Sequence, residues 1–409
     1  MGEGKNMMDK KIERKAKAFI LIVLFANFIR FVQVSIIDIG LPSFVLSVAG
    51  TLTAYGIVVG VFSLTQSLFQ FPIAALSDKK LGRKNMIIIC VVIYTVGTFL
   101  CYLAQDIYQL IIFRAIQGIG GYSSIIQAML SDQYRKENQH GKGMALYSLS
   151  ITIGFFAGFI IGGLVSYFIG IRSIFLIAAI LSLISLIIII LFLKDPLKSF
   201  SSQDSDNDPA LREQIKLSEI KVILKEKRFK IIIAINMFRW FLFFGIYPYI
   251  IWVIQIHYEL NPIEATYILI LVVLLYTVFI VIGGLLADHI GYKKTMMVGQ
   301  IIIITSTFLF FIDTGFIFFL IVSTSCCIGF ALLETSGNAY LAKFLEETHP
   351  KIKTSGFGFN NALGYFFRAL GPIFICFLGD IEVFLPYYVV SIIILFSLFI
   401  TMKFLEKVS

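Results

Sequence analysis

Long apolar runs separated by short polar segments make up most of the chain. Each run is about 18–25 residues long, the length that an α-helix needs to cross the hydrocarbon core of a bilayer. Because lipid offers no hydrogen-bond partner to exposed backbone groups, such runs are expected to be helical throughout. We predict twelve membrane-spanning helices, numbered spans 1 to 12, at 18–41, 53–76, 85–104, 107–130, 143–167, 172–193, 229–255, 263–287, 294–312, 316–341, 354–378 and 384–403.

The composition supports an integral membrane protein and excludes several other classes. Of the 409 residues, 58% are hydrophobic and 14% are charged, whereas soluble domains carry about 25% charge. The mean hydropathy of +0.90 argues against a soluble enzyme, a disordered chain and a nucleic-acid-binding domain. The sequence contains no catalytic triad, phosphate-binding loop or metal-ligand constellation, so we predict neither an enzyme nor a bound cofactor or metal. The five cysteines lie in apolar runs and are interpreted as small core residues.

The distribution of basic residues predicts the topology. If the N-terminus is cytoplasmic, the outer loops hold a single basic residue, Arg172. Four other arginines lie inside spans. The remaining 29 of the 34 lysines and arginines then face inward, which places both termini in the cytoplasm. This asymmetry accounts for the net charge of +9 without a nucleic-acid partner. The predicted organisation is an N-tail (1–17), a six-helix bundle (18–193), a cytoplasmic linker with an amphipathic helix (194–228), a second six-helix bundle (229–403) and a C-tail (404–409).

The two predicted bundles contain a weak internal repeat. Shifting the chain against itself by about 210 residues aligns several polar and glycine positions across the linker. Two repeated six-helix halves are typical of transporters that hold a substrate between the halves. The aligned pairs are Asn27 and Asn236, Arg30 and Arg239, Asp78 and Asp288, and Gly154 and Gly364.

The loops after spans 2 and 8 share an acid, a glycine and several cations. They have the sequences AALSDKKLGRK at 74–84 and GLLADHIGYKK at 284–294. Both are similar to the G-x-L-a-D-r-x-G-r-k loop of the major facilitator superfamily. The first loop departs from this pattern, because Ala74 replaces the first glycine and Leu81 is an extra residue between the acid and the second glycine. The resemblance implies a latch for the outward-facing state, in which the acid meets a helix N-terminus and the glycine turns the chain; an ordinary cytoplasmic loop is the alternative. The gating residues are then Asp78, Gly82, Arg83, Asp288, Gly291 and Lys293.

Span 4 contains the sequence RAIQGIGG at 114–121. It matches the R-x-x-Q-G-x-G signature that accompanies proton transfer in proton-coupled members of the superfamily. An arginine within a span is costly unless it is paired or faces water. Arg114 is therefore a predicted coupling residue, and the alternative is a structural arginine held by carbonyl groups and Gln117.

Span 5 carries small residues at intervals of four, which form a face for close helix packing. Gly154, Gly158, Gly162 and Gly163 resemble the G-x-x-x-G-P-x-x-G-G signature of exporters in the superfamily, with Phe159 in place of the proline. The resemblance implies export, and generic glycine packing is the alternative.

Span 1 ends in a segment that resembles the D-x-T-I-V-N-x-A-L-P pattern of drug:proton antiporters. Gln33 occupies the position of an acid in many members, and Asp38, four residues before Pro42, matches a carboxylate that titrates in some multidrug exporters. Asp38 is a predicted proton carrier; the alternative places it at the outer interface as a solvated or capping residue.

Glu334 is the one carboxylate well inside a predicted span, and an intramembrane acid is a functional candidate. We predict that it carries a proton, and the alternative is a structural ion pair with an arginine such as Arg368. Further candidates for the wall of a substrate cavity are Arg30, Gln33, Arg239, Asn338, Asn361 and Arg368.

These features lead to a predicted function, with two alternatives. The leading hypothesis is a monomeric plasma-membrane transporter of the superfamily, which exports small amphipathic organic molecules in exchange for protons by alternating access. Its predicted proton-coupling residues are Asp38, Arg114 and Glu334. An organic-anion or organophosphate carrier that clamps its substrate between Arg30 and Arg239 is one alternative. A membrane sensor that keeps the fold and transports nothing is the other.

Overall fold

The computed structural model describes residues 2–48, 50–77, 82–135, 140–193, 223–311, 315–348 and 353–405. These residues form thirteen α-helices and no β-strand. The helices are α1 (Gly2–Ser47), α2 (Leu52–Leu76), α3 (Arg83–Leu103), α4 (Ile107–Ile119), α5 (Ser123–Arg135), α6 (His140–Phe168), α7 (Ser173–Phe192), α8 (Lys227–Trp252), α9 (Pro262–Ile290), α10 (Tyr292–Phe308), α11 (Phe316–Thr348), α12 (Lys353–Ile381) and α13 (Leu385–Phe404). A π-helical segment, Val253–His257, continues α8, and a 3-10 turn, Leu309–Phe311, continues α10.

The helix order follows the twelve predicted spans and confirms an all-α membrane fold. Within the described ranges, ten helices are long and apolar enough to cross a membrane. The two predicted spans outside this group are span 4, which is divided between α4 and α5, and span 9, in which α10 has 17 residues before the 3-10 turn.

Span 4 was predicted as one helix over 107–130, and that prediction is wrong. The break lies at Gly120, Gly121 and Tyr122, inside the glycine-rich motif. The N–H groups of Gly120 and Gly121 donate to the carbonyls of Gln117 and Gly118, which tightens the last turn of α4. Glycine is needed here for close packing, because a β-carbon at Gly120 would lie 2.6 Å from the carbonyl oxygen of Cys90 on α3.

Other helices extend beyond their predicted ends. The first helix has 46 residues and continues through Pro42 to Ser47, whereas span 1 was predicted to end at residue 41. In the same way, α11 continues past the predicted end at 341, to Thr348. In α1 the continuation is apolar, with Phe44 and Val45 buried, and Pro42 does not end the helix. In α11 the continuation ends in exposed polar residues, Glu346 to Thr348, which cost little in water.

The chain divides into two compact units. The first unit comprises Met1–Phe44 and Leu68–Asp208, and the second comprises Val45–Ser67 and Pro209–Ser409. The predicted bundles, 18–193 and 229–403, differ from this division mainly at residues 45–67. Most of the predicted linker, 194–222, lies outside the described residues, and so does most of the amphipathic helix predicted there.

The first half of α2 belongs to the second unit because of its glycine-rich face. A β-carbon at Gly56 would lie 2.5 Å from the carbonyl oxygen of Pro372, and one at Gly60 would lie 2.7 Å from that of Ala369. The Tyr55 hydroxyl donates to the Pro248 carbonyl at 3.2 Å. Small residues thus allow backbone-to-backbone approach between α2 and α12, as in other membrane helix pairs.

The cysteines occupy the positions expected from their apolar surroundings. All five, Cys90, Cys101, Cys326, Cys327 and Cys376, are buried free thiols. This confirms their interpretation as small core residues.

Candidate functional site

An ion pair between α8 and α11 is the centre of the site in the second unit. The Nη1 atom of Arg239 lies 3.0 Å from Oε2 of Glu334. The same carboxylate oxygen accepts a hydrogen bond from the hydroxyl of Tyr276, on α9, at 2.6 Å. Three helices therefore converge on one carboxylate, with one cationic and one neutral donor.

The two charged partners differ in their access to solvent. Arg239 is 1% exposed, whereas the side chain of Glu334 is 28% exposed. The Cζ atom of Arg239 lies 4.9 Å from the centroid of the Trp240 ring, and its Nε and Nη2 atoms have no hydrogen-bond partner among the described residues. The Tyr276 ring stacks on Phe243 with the centroids 5.0 Å apart. The arginine is thus buried against the Trp240 ring, and the carboxylate is the more accessible member of the pair.

The alternative given for Glu334 from the sequence, an ion pair with an arginine such as Arg368, is met by a different arginine. The ion pair forms with Arg239, not with Arg368, whose Cζ atom lies 4.1 Å from the centroid of the Phe244 ring. Both arginines were intramembrane candidates by sequence, and the position of α8 beside α11 decides between them. An ion pair with an arginine thus agrees with the alternative given for Glu334, although the example named there was Arg368, and its role in proton transfer stays a prediction.

Arg30, the repeat counterpart of Arg239, lies in the first unit, and no acid of the described residues is in contact with it. It is 3% exposed, and its Cζ atom lies 4.6 Å from the centroid of the Tyr122 ring. Its Nε and Nη1 atoms are buried and donate to no acceptor among the described residues. The repeated arginines are thus similar in burial and aromatic contact, but they differ in charge compensation.

Arg114 belongs to a second polar group in the first unit, between α3 and α4. Its Nη1 donates to Oε1 of Gln117 at 2.6 Å, and Nε2 of Gln117 donates to the Thr98 hydroxyl at 2.7 Å. A β-carbon at Gly97 would lie 2.5 Å from the backbone nitrogen of Gln117, so the close helix approach depends on this glycine. The predicted alternative, an arginine satisfied by Gln117, agrees with these contacts, and a role in coupling stays a prediction.

Asp38 and Gln33 lie on α1. Asp38 is half-buried and lies well before the end of the helix at Ser47, which removes the argument that it caps the helix terminus. Gln33 is 2% exposed. Their predicted roles in proton transfer and substrate contact stay predictions.

Asparagine side chains join span 1 to span 5 in the first repeat and span 7 to span 11 in the second. Nδ2 of Asn27, on α1, donates to the hydroxyl of Ser150, on α6, at 2.7 Å. Nδ2 of Asn236, on α8, donates to Oδ1 of Asn360, on α12, at 3.0 Å. Asn360 donates in turn to the exposed Asn361 at 3.4 Å. Asn338, on α11, is half-buried.

The glycine motif of span 5 packs α6 against α1. A β-carbon at Gly158 would lie 1.9 Å from Oγ of Ser35, and at Gly162 it would lie 2.4 Å from Cγ2 of Ile39. At Gly154 it would lie 2.8 Å from the Phe28 carbonyl oxygen. Gly163 is buried, and so is Phe159, the residue in the proline position. Close helix packing is therefore the role that the contacts support directly.

The loops predicted to act as gates have matching backbone geometry. Gly82 and Gly291 have φ values of 76° and 92°, each at the start of the following helix. A side chain is strained in this region of φ, so both positions favour glycine. Asp78 lies outside the described residues. Asp288 is exposed and Arg83 is buried.

Lysines after these glycines make a contact that the sequence motif does not suggest. Nζ of Lys84 donates to the carbonyl of Ile190 at 2.8 Å, and Nζ of Lys293 donates to that of Met402 at 2.9 Å. Ile190 and Met402 lie in the last turns of α7 and α13, where carbonyl groups have no partner within the helix. Lys293 contacts a main-chain carbonyl, and its predicted role in gating stays a prediction.

Two residues that make these contacts, Tyr276 and Lys84, were not among the candidates from the sequence. Tyr276 was one of many aromatic residues in apolar runs, and Lys84 was one of several loop cations. The repeat offers a signal for Lys84, since it aligns with Lys293, but no sequence signal singles out Tyr276. Across the described ranges, no group of three or more His, Cys, Asp or Glu side chains could hold a metal ion.

The chain is similar over its full length to known transporters. The family model described as Major Facilitator Superfamily matches residues 23–272 and 231–408. Inner membrane transport protein YajR of Escherichia coli is 34% identical over 127 residues, which cover 31% of this chain and 28% of that protein. The chain thus spans about a third of the length of the first curated relatives it matches. Multidrug resistance protein 2 of Bacillus subtilis is 24% identical over 407 residues, which cover 97% of this chain and 98% of that protein.

Solved structures show the same fold. A point mutant of the nucleoside transporter NupG aligns with a TM-score of 0.77 at 15% identity and covers 95% of this chain and 100% of its own. A bacterial homologue of the human lysosomal transporter Spinster aligns with a TM-score of 0.75 at 16% identity over 96% and 95% of the two chains. The family match over nearly the whole sequence shows that the chain belongs to the Major Facilitator Superfamily.

Proposed function

We propose that this transporter exports small amphipathic organic molecules in exchange for protons, with Glu334 as a proton carrier. The observation that supports this most directly is the carboxylate of Glu334, which is bound by Arg239 and Tyr276 and remains 28% exposed. An acid inside a membrane span is costly to maintain, and it is commonly found on proton or substrate pathways.

The geometry supports a link between protonation and helix movement. A proton on Glu334 neutralises the carboxylate and removes the charge that stabilises Arg239. The guanidinium, at 1% exposure, then lacks a counter-ion, and a movement that brings water or substrate to it becomes favourable. Proton binding and substrate binding are coupled in this way through one ion pair between α8 and α11.

The likeness to multidrug transporters supports export as the direction. Multidrug resistance protein 2 of Bacillus subtilis matches almost the whole chain, and the multi-drug resistance efflux pump PmrA of Streptococcus pneumoniae is 28% identical over 179 residues. The glycine face of α6 is consistent with the exporter signature. Both termini are proposed to be cytoplasmic, on the charge asymmetry, in a plasma-membrane protein that works as a monomer.

The alternative with a two-arginine clamp has less support. Arg239 is already neutralised by Glu334, so its charge is not free to attract an anion while the pair is intact. The other alternative, a sensor that transports nothing, predicts that no solute moves. The same experiment separates it from the exporter.

Transport in proteoliposomes with an acidic lumen tests the proposal, since a proton exchanger accumulates its substrate there. Three probes cover the charge classes: ethidium, 2-naphthamide and 2-naphthoate. We expect at least one to accumulate beyond the level of protein-free vesicles and to be released when the pH gradient is collapsed. Glu334→Gln should abolish this accumulation and retain exchange of labelled for unlabelled probe.

Glu259→Gln is the matched control, because Glu259 is an exposed acid outside the membrane-spanning helices. It should accumulate the probe as the wild type does. Gradient-driven accumulation by Glu334→Gln at the wild-type level contradicts the assigned role of Glu334. If none of the three probes moves with the wild-type protein, the exporter proposal is wrong.

A further inference from the structure

Arg30 carries a buried charge that the described part of the first unit does not compensate by contact. Among the side chains described in that unit, the acids are Asp38 and Asp106. Asp106 caps α4 by accepting a hydrogen bond from the Gln109 backbone at 2.9 Å. Asp38 lies two helical turns from Arg30, about 12 Å along α1, and the unit contains a second buried intramembrane arginine, Arg114, at 4% exposure. None of these described acids is therefore in contact with Arg30.

Leaving a guanidinium in this state is energetically unfavourable. A buried ion without a counter-ion is strongly unfavourable, and buried N–H groups without acceptors add a further penalty. The contact of Arg30 with Tyr122 uses the face of the guanidinium, so it satisfies none of the N–H groups at Nε and Nη1, which lie in the plane. Such a group is a site at which an acceptor with negative charge binds favourably.

The second unit contains the occupied version of this arrangement. Arg239 is the repeat counterpart of Arg30, and it is bound to a carboxylate that also accepts a hydrogen bond from a tyrosine hydroxyl. The first unit has no acid at the corresponding place, since the sequence from 107 to 131 contains neither aspartate nor glutamate. The contrast between the units indicates that a carboxylate is the missing component.

A tyrosine hydroxyl is also present near Arg30. Tyr94, on α3, is 2% exposed, and its hydroxyl has no hydrogen-bond partner among the described residues. Its backbone packs on Gly120, where a β-carbon would lie 2.6 Å from the Tyr94 nitrogen, two residues before Tyr122, the ring that Arg30 contacts. An anion at Arg30 would thus meet a second donor, as the Glu334 carboxylate meets Tyr276.

We propose that Arg30, with the Tyr94 hydroxyl as second donor, binds the carboxylate of a transported amphipathic organic acid. The inference extends the proposed export function by naming a substrate class, and it rests on that function for the route by which a ligand reaches a buried residue. It differs from the two-arginine clamp because Arg239 takes no part. A carboxylate is favoured over phosphate because Arg239, the repeat counterpart of Arg30, binds the carboxylate of Glu334.

Equilibrium binding to the purified full-length protein tests the site without any proton gradient. The measurement is thermal unfolding with 2-naphthoate, with 2-naphthamide, which has the same ring and no charge, and with inorganic phosphate, at constant ionic strength. We expect 2-naphthoate to raise the unfolding temperature, and the other two to leave it unchanged, because a ligand stabilises the folded state that binds it. Arg30→Gln should weaken 2-naphthoate binding about tenfold to hundredfold, the effect of losing a hydrogen bond to a charged group.

Two further variants keep the test decisive. Arg172→Gln is the matched control, because Arg172 also lies over an aromatic ring in the first unit, 5.5 Å from the Phe44 centroid, but is exposed; it should bind as the wild type does. Tyr94→Phe removes only a hydroxyl that no described residue binds, so it should fold normally and bind 2-naphthoate more weakly.

Several results would overturn the proposal. They are the absence of stabilisation by 2-naphthoate, equal stabilisation by 2-naphthamide, stabilisation by phosphate alone, and unchanged binding in either Arg30→Gln or Tyr94→Phe. Binding at Arg30 in a protein that shows no gradient-driven transport would sink the export function and leave the carboxylate site intact. Transport without 2-naphthoate binding would overturn the carboxylate site and leave the export function intact.

Discussion

Asn27 and Asn236 make the same helix-to-helix hydrogen bond in the two halves of the chain. Each is fully buried, each donates through Nδ2 to the fifth helix of its own repeat, and each leaves its Oδ1 without a partner among the described residues. Their acceptors, Ser150 and Asn360, are separated by nearly the same number of residues as the asparagines themselves. The internal repeat in the sequence is thus accompanied by equivalent side-chain contacts in the two halves.

The acceptors predict unequal costs when the asparagines are replaced. The Ser150 hydroxyl also donates to the Tyr147 carbonyl at 2.7 Å, so Asn27→Ala leaves Ser150 with a hydrogen bond. Asn236→Ala leaves the buried Oδ1 of Asn360 without its donor. We expect Asn236→Ala to lower the free energy of unfolding by about 1–2 kcal/mol and Asn27→Ala by about half as much. Thermal unfolding in detergent measures both, and a larger cost for Asn27→Ala would contradict the assignment.

Removal of Arg239 alone should destabilise the protein more than removal of both members of its ion pair. Arg239→Gln leaves the Glu334 carboxylate without a counter-ion, and we expect a cost of about 1–3 kcal/mol, less than for a fully buried pair because Glu334 is 28% exposed. The double variant Arg239→Gln/Glu334→Gln replaces the pair by two neutral amides and should recover part of this loss. Unfolding measurements on the wild type, Arg239→Gln, Glu334→Gln and the double variant give the coupling energy. Additive effects would show that the pair contributes nothing.

The packing of α6 on α1 predicts that alanine at Gly158 lowers the stability of the protein far more than alanine at Gly284. Gly158→Ala places a β-carbon 1.9 Å from Ser35 Oγ and 2.3 Å from the Val32 carbonyl oxygen, so the helices must separate and the unfolding temperature should fall. Gly284, on α9, has no described atom within 4 Å of its β-carbon position. Gly284→Ala should be neutral or stabilising by up to about 1 kcal/mol, the difference in helix propensity. Equal effects of the two substitutions would contradict the close approach.

Lys84 and Lys293 should stabilise the last turns of α7 and α13. Lys293→Met removes the donor to the Met402 carbonyl, and we expect faster amide hydrogen exchange in the last turn of α13, with a loss of about 0.5–1 kcal/mol. Lys294→Met is the control, because the neighbouring lysine is exposed. The same pattern is expected in α7 for Lys84→Met. Equal exchange in Lys293→Met and Lys294→Met would argue against this contact.

The charge asymmetry predicts a cytoplasmic location for residue 205. The five native cysteines are buried, so they should give little background with a membrane-impermeant thiol reagent. Ser205→Cys should be unreactive in intact cells and reactive after the membrane is opened. Labelling from outside intact cells would reverse the proposed topology.

The sequence alone predicted the order of the spans, their approximate positions and the family, because these depend on properties that each segment carries by itself. A run of about 20 apolar residues must be helical in lipid, wherever the other helices lie. Gly82 and Gly291 were also predictable, since a positive φ is a local requirement and glycine meets it at the same place in both repeats. The break at Gly120 was missed because hydrophobicity continues across it.

Only the tertiary structure decided which charges meet. In the sequence, Arg239 and Arg368 are equally plausible partners for Glu334, and Arg30 and Arg239 look alike as repeat counterparts. Helix packing places Arg239 against Glu334, places Arg368 over Phe244, and leaves Arg30 against Tyr122 with no described acid in contact. The physical reason is that an ion pair depends on the rotation and neighbours of two helices distant in the chain, whereas the hydrophobic pattern of each helix constrains only that helix.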